Sequence, residues 1–398
     1  MSLDLFAETV GAVHYLETDA EFTAALASLR DRPVVALDTE FMRERTYYAK
    51  LCLLQIATDE ETLLIDTLKI TDFRPLAALL TDPRVTKVFH AGGQDLEILW
   101  QVCGVVVSPY FDTQDAAELV GYSTQVGYGA LVEGELAVKL RKADSFTDWA
   151  RRPLTKAQLI YAAEDVIYLL RLYPLLCDQL SERGRLSWLQ PMFQTKTDPA
   201  TLEPDPREVY RKVKQVAQLR GAHLAVAREL GAWREEQARR SDRPRRWILS
   251  DESLIEIARR LPRTQDEVKQ IRGVKLRNVS QLRSLLAAVQ AGIDLAPEQW
   301  PEQPGSGRSK RDLSMAVDLL SALVRMRARE NNIAVPLLAS RDQLKAFALD
   351  PDAESPLLQG WRRDIVGAEL LQLLRGNLVL SLEGDRLIVK SNADSNDT

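Results

Sequence analysis

The feature that most constrains this chain is an apolar run that leads directly into an acidic triplet. Residues 34–37 read Val-Val-Ala-Leu, and Asp38, Thr39 and Glu40 follow. An apolar run of this length, rich in Val and preceded by Pro33, predicts a buried strand. Side chains two residues apart on a strand lie on the same face, so the carboxylates of Asp38 and Glu40 are expected to project together.

Two neighbouring carboxylates repel each other, and burying them costs free energy unless a cation neutralises them. Carboxylate oxygens are also the ligands that hard ions such as Mg2+ and Mn2+ prefer. A strand that ends in a solvated acidic turn would have the same sequence. The triplet alone favours that simpler interpretation, because short motifs often match by chance. A metal site would need further carboxylates from the rest of the chain.

Length and composition narrow the class of protein. The 398 residues are enough for about two or three domains, and an apolar fraction of 45% is typical of a soluble globular chain. The sequence has neither an apolar run long enough to span a membrane nor the basic start of a signal peptide. Cys52, Cys103 and Cys177 are odd in number and widely spaced, which indicates reduced thiols and a cytoplasmic location.

The charge is unevenly distributed along the chain. The net charge is -5, yet residues 205–290 contain 20 Lys and Arg against 11 Asp and Glu, a net of +9. The remainder therefore carries -14. This asymmetry indicates a basic module joined to an acidic one, as in proteins that bind nucleic acids. A solvated helical surface that happens to be basic is an equally good interpretation of charge alone.

The first half of the chain predicts a mixed sheet flanked by helices, extending to about residue 190. Three strands joined by short turns form an antiparallel meander, and a helical crossover makes the fourth strand parallel to the first. The expected strands are 34–40, 51–57, 62–66 and 85–89, with a fifth at 105–107. The expected helices are 22–29, 73–80, 95–102, 115–120, 128–133 and 155–176, the last capped by Thr155.

Proline-rich and polar stretches divide the second half. The predicted organisation is a first domain over 1–194, a linker over 195–206, a helical domain over 207–292, a linker over 293–311, a third domain over 312–390 and a disordered tail over 391–398. The third domain is expected to end in a hairpin with strands at 378–382 and 386–390.

Two further acidic residues have suitable positions for a shared site. Asp95 begins a helix directly after a strand and a Gly-Gly loop, at the sheet edge where sites collect in α/β folds. Asp165 lies one helical turn after Tyr161, on a face whose neighbours are apolar, so it needs a partner. Each feature alone is explained more simply, as a helix-start charge, a buried ion pair or a core aromatic residue.

Together the motifs resemble those of a known family. The order Asp38-x-Glu40, His90-x4-Asp95 and Tyr161-x3-Asp165 resembles the three exonuclease motifs of the DEDDy 3′-5′ exonucleases, particularly the bacterial ribonuclease D family. The resemblance continues through the residues at 51–57, 89–92, 148–149 and 152–155. Beyond the first linker, residues 219–220, 230–235 and 238–239 resemble the first HRDC domain of that family, and 337–341 and 360–362 its more divergent second one.

The resemblance implies a ribonuclease H-like first domain followed by two all-α HRDC-like domains. It implies two divalent ions, Mg2+ or Mn2+, held by Asp38, Glu40, Asp95 and Asp165, with Tyr161 orienting or deprotonating the attacking water. The implied activity is 3′-5′ exoribonuclease action that releases 5′-monophosphates, with tRNA precursors and other small structured RNAs as substrates of a monomeric enzyme. The implied RNA contacts are Thr39, Phe41, Gln55, His90, Arg239, Arg240, Arg243, Arg245 and Arg246.

One segment departs from the family pattern. Relatives often have Leu-Asp-Lys-Ser where this chain has Leu140-Arg141-Lys142-Ala143, and a basic residue in place of Phe146. The departures fall before the third motif and affect the expected contacts to the terminal nucleotide.

Two other functions fit parts of the sequence. A DNA-directed exonuclease of repair or proofreading type has the same three motifs, but this chain carries no polymerase or helicase segment, and its HRDC-like units favour RNA. A non-catalytic scaffold would have no need of the intact acidic motifs.

Overall fold

The structure is a computed structural model that describes residues 2–3, 12–141, 147–275, 278–302 and 312–392. The sequence departures at Ala143 and Phe146 lie outside the described residues. So do residues 303–311 of the predicted second linker and 393–398 of the predicted tail. No helix in the described ranges is long and apolar enough to cross a membrane.

The N-terminal domain is built on a mixed sheet. Its strands are β1 (Ser2–Leu3), β2 (Ala12–Leu16), β3 (Val34–Met42), β4 (Lys50–Ala57), β5 (Glu61–Ile65), β6 (Thr86–Phe89) and β7 (Tyr110–Asp112). Their order across the sheet is β1-β2-β5-β4-β3-β6-β7. Strands β3, β4 and β5 form the predicted antiparallel meander, and β6 is parallel to β3 as predicted. β3 and β4 therefore lie at the centre of the sheet, where both faces are covered.

Helices cover the two faces of this sheet. They are α1 (Asp19–Leu29), α2 (Arg74–Leu80), α3 (Gly93–Cys103), α4 (Thr113–Val120), α5 (Tyr128–Leu136), α6 (Lys156–Ile167) and α7 (Leu169–Glu182). Helices α1, α2 and α3 share one apolar core with alternate side chains of β3 and β4, including Leu37 and Leu54. Helix α6 packs on the opposite face, against Leu53 and Leu64. The two central strands thus have a helix layer on each side.

Two expectations for this domain were wrong in detail, and the strands before α1 were missed. The helix predicted over 155–176 is two helices that meet at Tyr168, whose near-helical φ of -83° and ψ of -13° leave the apolar pattern unbroken. The fifth strand lies at Tyr110–Asp112 rather than at 105–107, because Pro109 has no N–H for a ladder and pairing begins after it. Strand β2, which pairs in parallel with β5, was not expected.

The second half is mainly helical. Its elements are α8 (Leu189–Thr197), α9 (Pro199–Leu202), α10 (Gly221–Ser241), α11 (Arg245–Ile248), α12 (Asp251–Arg260), α13 (Gln265–Lys269), α14 (Val279–Ile293), α15 (Ser314–Glu330), α16 (Val335–Leu338), α17 (Arg341–Leu349), α18 (Gly360–Arg362), α19 (Ala368–Leu374), β8 (Leu378–Glu383) and β9 (Arg386–Ser391). The predicted hairpin is present as β8 and β9. The predicted linker over 195–206 begins inside α8 and contains α9, so its first half is helical.

Both C-terminal units pack against the N-terminal domain. Residues of α15, such as Leu320, share an apolar core with Leu172 of α7. The rings of Trp188 and Trp361 stack at 4.7 Å between centroids. Helix α10 is held by the loop between β3 and β4, through Tyr47. The strand that carries the acidic triplet is therefore connected directly to the basic segment.

Candidate active site

Strand β3 and helix α6 bring three carboxylates together. Asp38 and Glu40 lie on the face of β3 that α6 covers, opposite Gln55 and Leu53 of β4. One carboxylate oxygen from each of Asp38, Glu40 and Asp165 lies within 4.8 Å of the others. Helix α6 begins at a capping box, which fixes the helix start and with it the position of Asp165.

Asp95 reaches the same region from the opposite helix layer. It lies in the first turn of α3, and its Oδ1 accepts a hydrogen bond of 2.5 Å from the Thr39 hydroxyl. It is not one of the three carboxylates within 4.8 Å of each other, but its charge raises the pKa of both Asp38 and Glu40. All four predicted carboxylates are therefore neighbours.

Burial and mutual repulsion oppose ionisation of these groups. Burial is the largest cause for each: it raises the pKa of Glu40 to about 8, of Asp165 to about 7 and of Asp95 to about 6. The pKa of Asp38 is raised well above its ordinary value by burial, then by Asp95, Asp165 and Glu40. Four converging carboxylates whose negative charges are disfavoured without a cation form a donor set that suits hard divalent ions.

Tyr161 lies one turn before Asp165 on α6. Burial raises the pKa of its hydroxyl, and the charges of Asp165 and Glu40, together with a hydrogen bond to Asp165, raise it further. Its ring lies 6.1 Å from that of Trp149, with the ring planes tilted by 35°. The metal-free site therefore favours the neutral hydroxyl, held beside the carboxylates by aromatic packing.

Arg152 fixes the segment that leads into α6. Its guanidinium donates to Asp66 Oδ2 at 2.7 Å, to the Cys52 carbonyl at 2.7 Å and to the Trp149 carbonyl at 2.7 Å. Asp66 is buried, and Arg152 and hydrogen bonds hold its pKa below the ordinary value although burial raises it. The sequence shows Arg152 only as part of a family motif, so this anchoring role was missed.

Asp112 fixes the loop that leads into α3. Its buried carboxylate accepts hydrogen bonds from the amides of Ala91 (2.9 Å) and Gly92 (3.2 Å), from the Tyr110 hydroxyl (2.8 Å) and from Lys196 Nζ (2.8 Å). These bonds hold the loop in position at the start of the helix that bears Asp95. The only sequence signal was the position of Asp112 at the end of a strand on the same sheet edge.

The other residues predicted near the site have varied environments. Thr39 is bonded to Asp95, and Phe41 packs with Leu51 and other apolar residues. Both side-chain polar atoms of Gln55 are buried and have no hydrogen-bond partner among the described residues. His90 is occupied internally: Nδ1 lies 3.0 Å from Thr113 Oγ1, Nε2 lies 3.0 Å from the Val126 carbonyl, and burial lowers its pKa.

Two of the predicted RNA-binding arginines lie in an internal interface. The Arg245 guanidinium lies 4.7 Å from the ring centroid of Tyr47, and its side chain pairs with Glu235. The Tyr47 hydroxyl also donates to Glu235, and its amide donates to Asp242 Oδ1 at 3.0 Å. Arg239 donates to Tyr47 Oη at 3.1 Å. Arg239 and Arg245 therefore join the N-terminal domain to α10.

The other three predicted arginines have a different environment. Arg240 is exposed at the end of α10, Arg243 in the turn that follows it, and Arg246 on α11. The five arginines thus divide into two that hold an interface and three that face solvent.

Comparison with known proteins agrees with both halves of the fold. The family model for 3′-5′ exonucleases matches residues 13–181, and that for the HRDC domain matches residues 223–289. The ribonuclease D of Gluconacetobacter diazotrophicus is 40% identical over 376 residues, which cover 94% of this chain and 95% of that protein. The ribonuclease D of Sphingobium indicum is 38% identical over 384 residues, which cover 94% and 98%.

A solved structure matches over nearly the whole length. The crystal structure of Escherichia coli RNase D, an exoribonuclease involved in structured RNA processing, superposes with a TM-score of 0.79 at 32% sequence identity. The match covers 92% of this chain and 99% of that one.

The raised pKa values predict how stability depends on pH when a chelator removes metals. The folded chain holds protons on Glu40 and Asp165 that the unfolded chain, with carboxylate pKa values of about 4, releases. Their contribution is complete below about pH 4 and is lost as the pH rises through about 7 and 8. The melting temperature in chelator should therefore fall between pH 5.5 and 8.5, by roughly 2–4 °C or more.

Divalent ions should reverse this loss. Mg2+ or Mn2+ should raise the melting temperature more at pH 8.5 than at pH 5.5, because protons compete with the ion at the lower pH. In the variant Asp38→Asn, the fall of the melting temperature with pH in chelator and the pH dependence of the ion effect should both be smaller. A melting temperature that rises with pH in chelator, or an ion effect independent of pH, would contradict the proposed electrostatics.

Proposed function

Because the chain belongs to the ribonuclease D family and is a 3′-5′ exoribonuclease, we propose that it hydrolyses RNA from the 3′ end with two divalent ions and releases 5′-monophosphates. We propose tRNA precursors and other small structured RNAs as its substrates. The observation that carries the mechanism is the convergence of Asp38, Glu40 and Asp165 within 4.8 Å, with Asp95 adjacent.

The four carboxylates would hold the ions, either Mg2+ or Mn2+. When bound, such ions neutralise charge on the attacking and leaving oxygens of the phosphodiester. The chain itself supplies the positions of the ligands. Glu40 and Asp38 are fixed by strand pairing, Asp95 by its bond to Thr39 and by the loop that Asp112 holds, and Asp165 by the packing of α6 on the sheet.

We assign Tyr161 the role of orienting the attacking water. A tyrosine whose pKa is raised is a poor base, since its neutral form is favoured. A neutral hydroxyl can still accept a hydrogen bond from water and share its proton as the water becomes more acidic. Trp149 packs beside the ring and keeps the hydroxyl near the carboxylates.

The HRDC domain would deliver the substrate. Within residues 205–290 the exposed arginines Arg240, Arg243 and Arg246 are the proposed phosphate contacts. Arg239 and Arg245 are instead occupied by Tyr47 and Glu235. We also propose that residues 312–390 form a second HRDC-like domain and that the chain acts as a monomer.

A substrate panel tests the proposal directly. A 3′-labelled tRNA precursor, single-stranded RNA and single-stranded DNA are each incubated with Mg2+, with Mn2+ and with chelator. We expect labelled mononucleotide from both RNAs, only with metal, and none from Asp38→Asn, which loses a ligand. Asp59→Asn, which changes an exposed acid in the β4–β5 turn, is the matched control. Preferential cleavage of DNA, or normal turnover by Asp38→Asn at saturating Mg2+, would overturn the assignment.

The variant Tyr161→Phe separates the hydroxyl from the ring. Because the ring remains packed against Trp149, melting temperature and RNA binding should not change. The cleavage rate should fall by roughly 10²-fold, the usual scale for a lost proton-transfer group. Tyr48→Phe, at an exposed tyrosine, is the matched control. Full activity of Tyr161→Phe would remove the hydroxyl from the mechanism, and a lower melting temperature would indicate a packing role.

The exposed arginines predict a salt-dependent contribution to binding. In the triple variant Arg240→Ala, Arg243→Ala, Arg246→Ala, RNA affinity should fall, and the plot of log affinity against log salt should become shallower by about 0.7 for each lost contact to single-stranded RNA. Cleavage of dinucleotides should be unchanged, since they are too short to reach this surface. The measurement is fluorescence anisotropy over a range of salt concentrations.

A control with the same change of net charge is available. Arg171, Arg183 and Arg386 are exposed, lie outside the basic segment and form no ion pair among the described residues, and replacing all three by Ala should leave the salt dependence of RNA binding unchanged. If both triple variants have the same effect, the contribution of the basic segment is one of overall charge and not of contact.

A further inference from the structure

One large aromatic side chain of the HRDC domain is exposed without an obvious structural reason. Trp247 has 56% of its surface exposed, more than any other aromatic residue that the structure describes. It lies on α11, whose position is fixed by the buried Ile248 and by the ion pair between Arg245 and Glu235. The indole is therefore presented to solvent by a rigid element and not by a loose loop.

Unpaired positive charges surround this indole. The Arg243 guanidinium lies 5.9 Å from the ring centroid. Trp247 lines a surface groove, and Arg246 and Lys212 line it too. In the part of the chain that the structure describes, no carboxylate forms an ion pair with these three cations.

The acidic groups nearby are already occupied. Asp251 pairs with Arg234 at 2.7 Å, and Asp242 accepts from the amides of Tyr47 and Tyr48. Glu44 also lines the groove, and the exposed Arg45 follows it in sequence. Amide hydrogen bonds leave the charge of Asp242 in place, and the exposed Glu252 also interacts with Arg246. The lining of the groove is nevertheless positive, because five cations stand against the two acids Glu44 and Asp251: Arg43, Lys212, Arg234, Arg245 and Arg246.

The groove beside Trp247 adjoins a second cavity, and the residues that line the two include none of the four carboxylates. It has a volume of about 500 Å³ and is bounded on one side by α11 and on the other by Arg43 and Tyr47 of the loop after β3. Those two residues also line an adjoining cavity of about 870 Å³ that reaches Gly93 and Glu97 of α3, the helix that carries Asp95. Arg43 follows Glu40 by three residues, a distance of about 10 Å along an extended strand.

We propose that Trp247 stacks on an unpaired base of the RNA substrate, with Arg243 and Arg246 on the flanking phosphates, so that single-stranded RNA lies along this groove. Every base has an aromatic face, so such a contact tolerates any sequence, as an exonuclease requires. Cations beside the ring favour a polyanion over an apolar protein partner. The inference rests on the proposed RNA contact of the basic segment and extends it from phosphates to a base.

The test is binding in chelator, where RNA is not cleaved, with a single-stranded 12-mer and a blunt duplex of the same length. Trp247→Ala should weaken binding of the single strand by about fivefold or more and leave the duplex unaffected, because a duplex offers no unpaired base. Trp247→Phe should retain most of the affinity, since it keeps an aromatic face. The salt dependence should be unchanged, because no charge is removed.

The two sets of variants distinguish a failure of this inference from a failure of the proposed function. The arginine triple variant changes the salt dependence and Trp247→Ala does not, so loss of the electrostatic contact is distinguishable from loss of stacking. Leu382→Ala, at a side chain 72% exposed on β8, is the control for removing exposed apolar surface, and melting temperatures exclude unfolding. If Trp247→Ala weakened binding of the single strand and the duplex equally, the stacking role would be overturned. If the affinity for both RNAs were unchanged, the stacking role would also be overturned, and a protein partner would be left as the occupant of the groove.

Discussion

The repulsion among the partly buried carboxylates on β3 and its flanking helices is the constraint on which this structure depends. Several other buried acids have a cation of the chain as partner: Asp66 pairs with Arg152, and Asp112 with Lys196. Among the described residues, no Lys, Arg or His forms an ion pair with the carboxylate cluster of Asp38 and its neighbours. A partly buried negative charge without a partner is costly, so the metal-free chain keeps protons on these carboxylates, which a cation from solvent would replace. The site is therefore an incomplete ion pair that a divalent ion completes.

The same strand also determines where the HRDC domain lies. Tyr47 is in the loop that follows β3, and its ring and hydroxyl are held by Arg245, Arg239 and Glu235 of the second domain. Burial raises the pKa of Glu235, but hydrogen bonds from Arg245 and Tyr47 outweigh it and keep the carboxylate ionised. Because one short loop joins the carboxylates to this interface, the groove beside α11 and the active site keep a fixed relation to each other.

Periodicity and motif spacing were sufficient for the centre of the fold and for the acidic set. The meander of β3, β4 and β5 is buried on both faces and has a strong apolar signal, whereas β2 is short and half exposed, and its sequence Ala-Val-His-Tyr-Leu gives a weak one. Charge counting identified a basic segment but could not separate Arg245 from Arg246. Whether an arginine forms an ion pair depends on which acid the fold places beside it. That acid is distant in sequence or on another helix turn, so a charge count does not reveal it. For the same reason Lys196, inside a predicted linker, was not expected to support the loop before α3.

Bound metal ions change the charge of the acidic cluster but not the charge of the HRDC domain. A polyanion would be attracted to the exposed arginines of the HRDC domain and repelled by the acidic cluster at a pH where its carboxylates are ionised. In the metal-free chain at alkaline pH, RNA is therefore expected to lie away from the cluster. Neutralising the carboxylates would remove that barrier at the acidic cluster and leave the charge of the HRDC domain unchanged. Stacking of a base on Trp247 would not depend on the charge of the acidic cluster or of the HRDC domain, since the indole is uncharged. RNA can then remain held on the HRDC domain whether or not the active site is loaded, and only the passage of the 3′ end into the site depends on the ions.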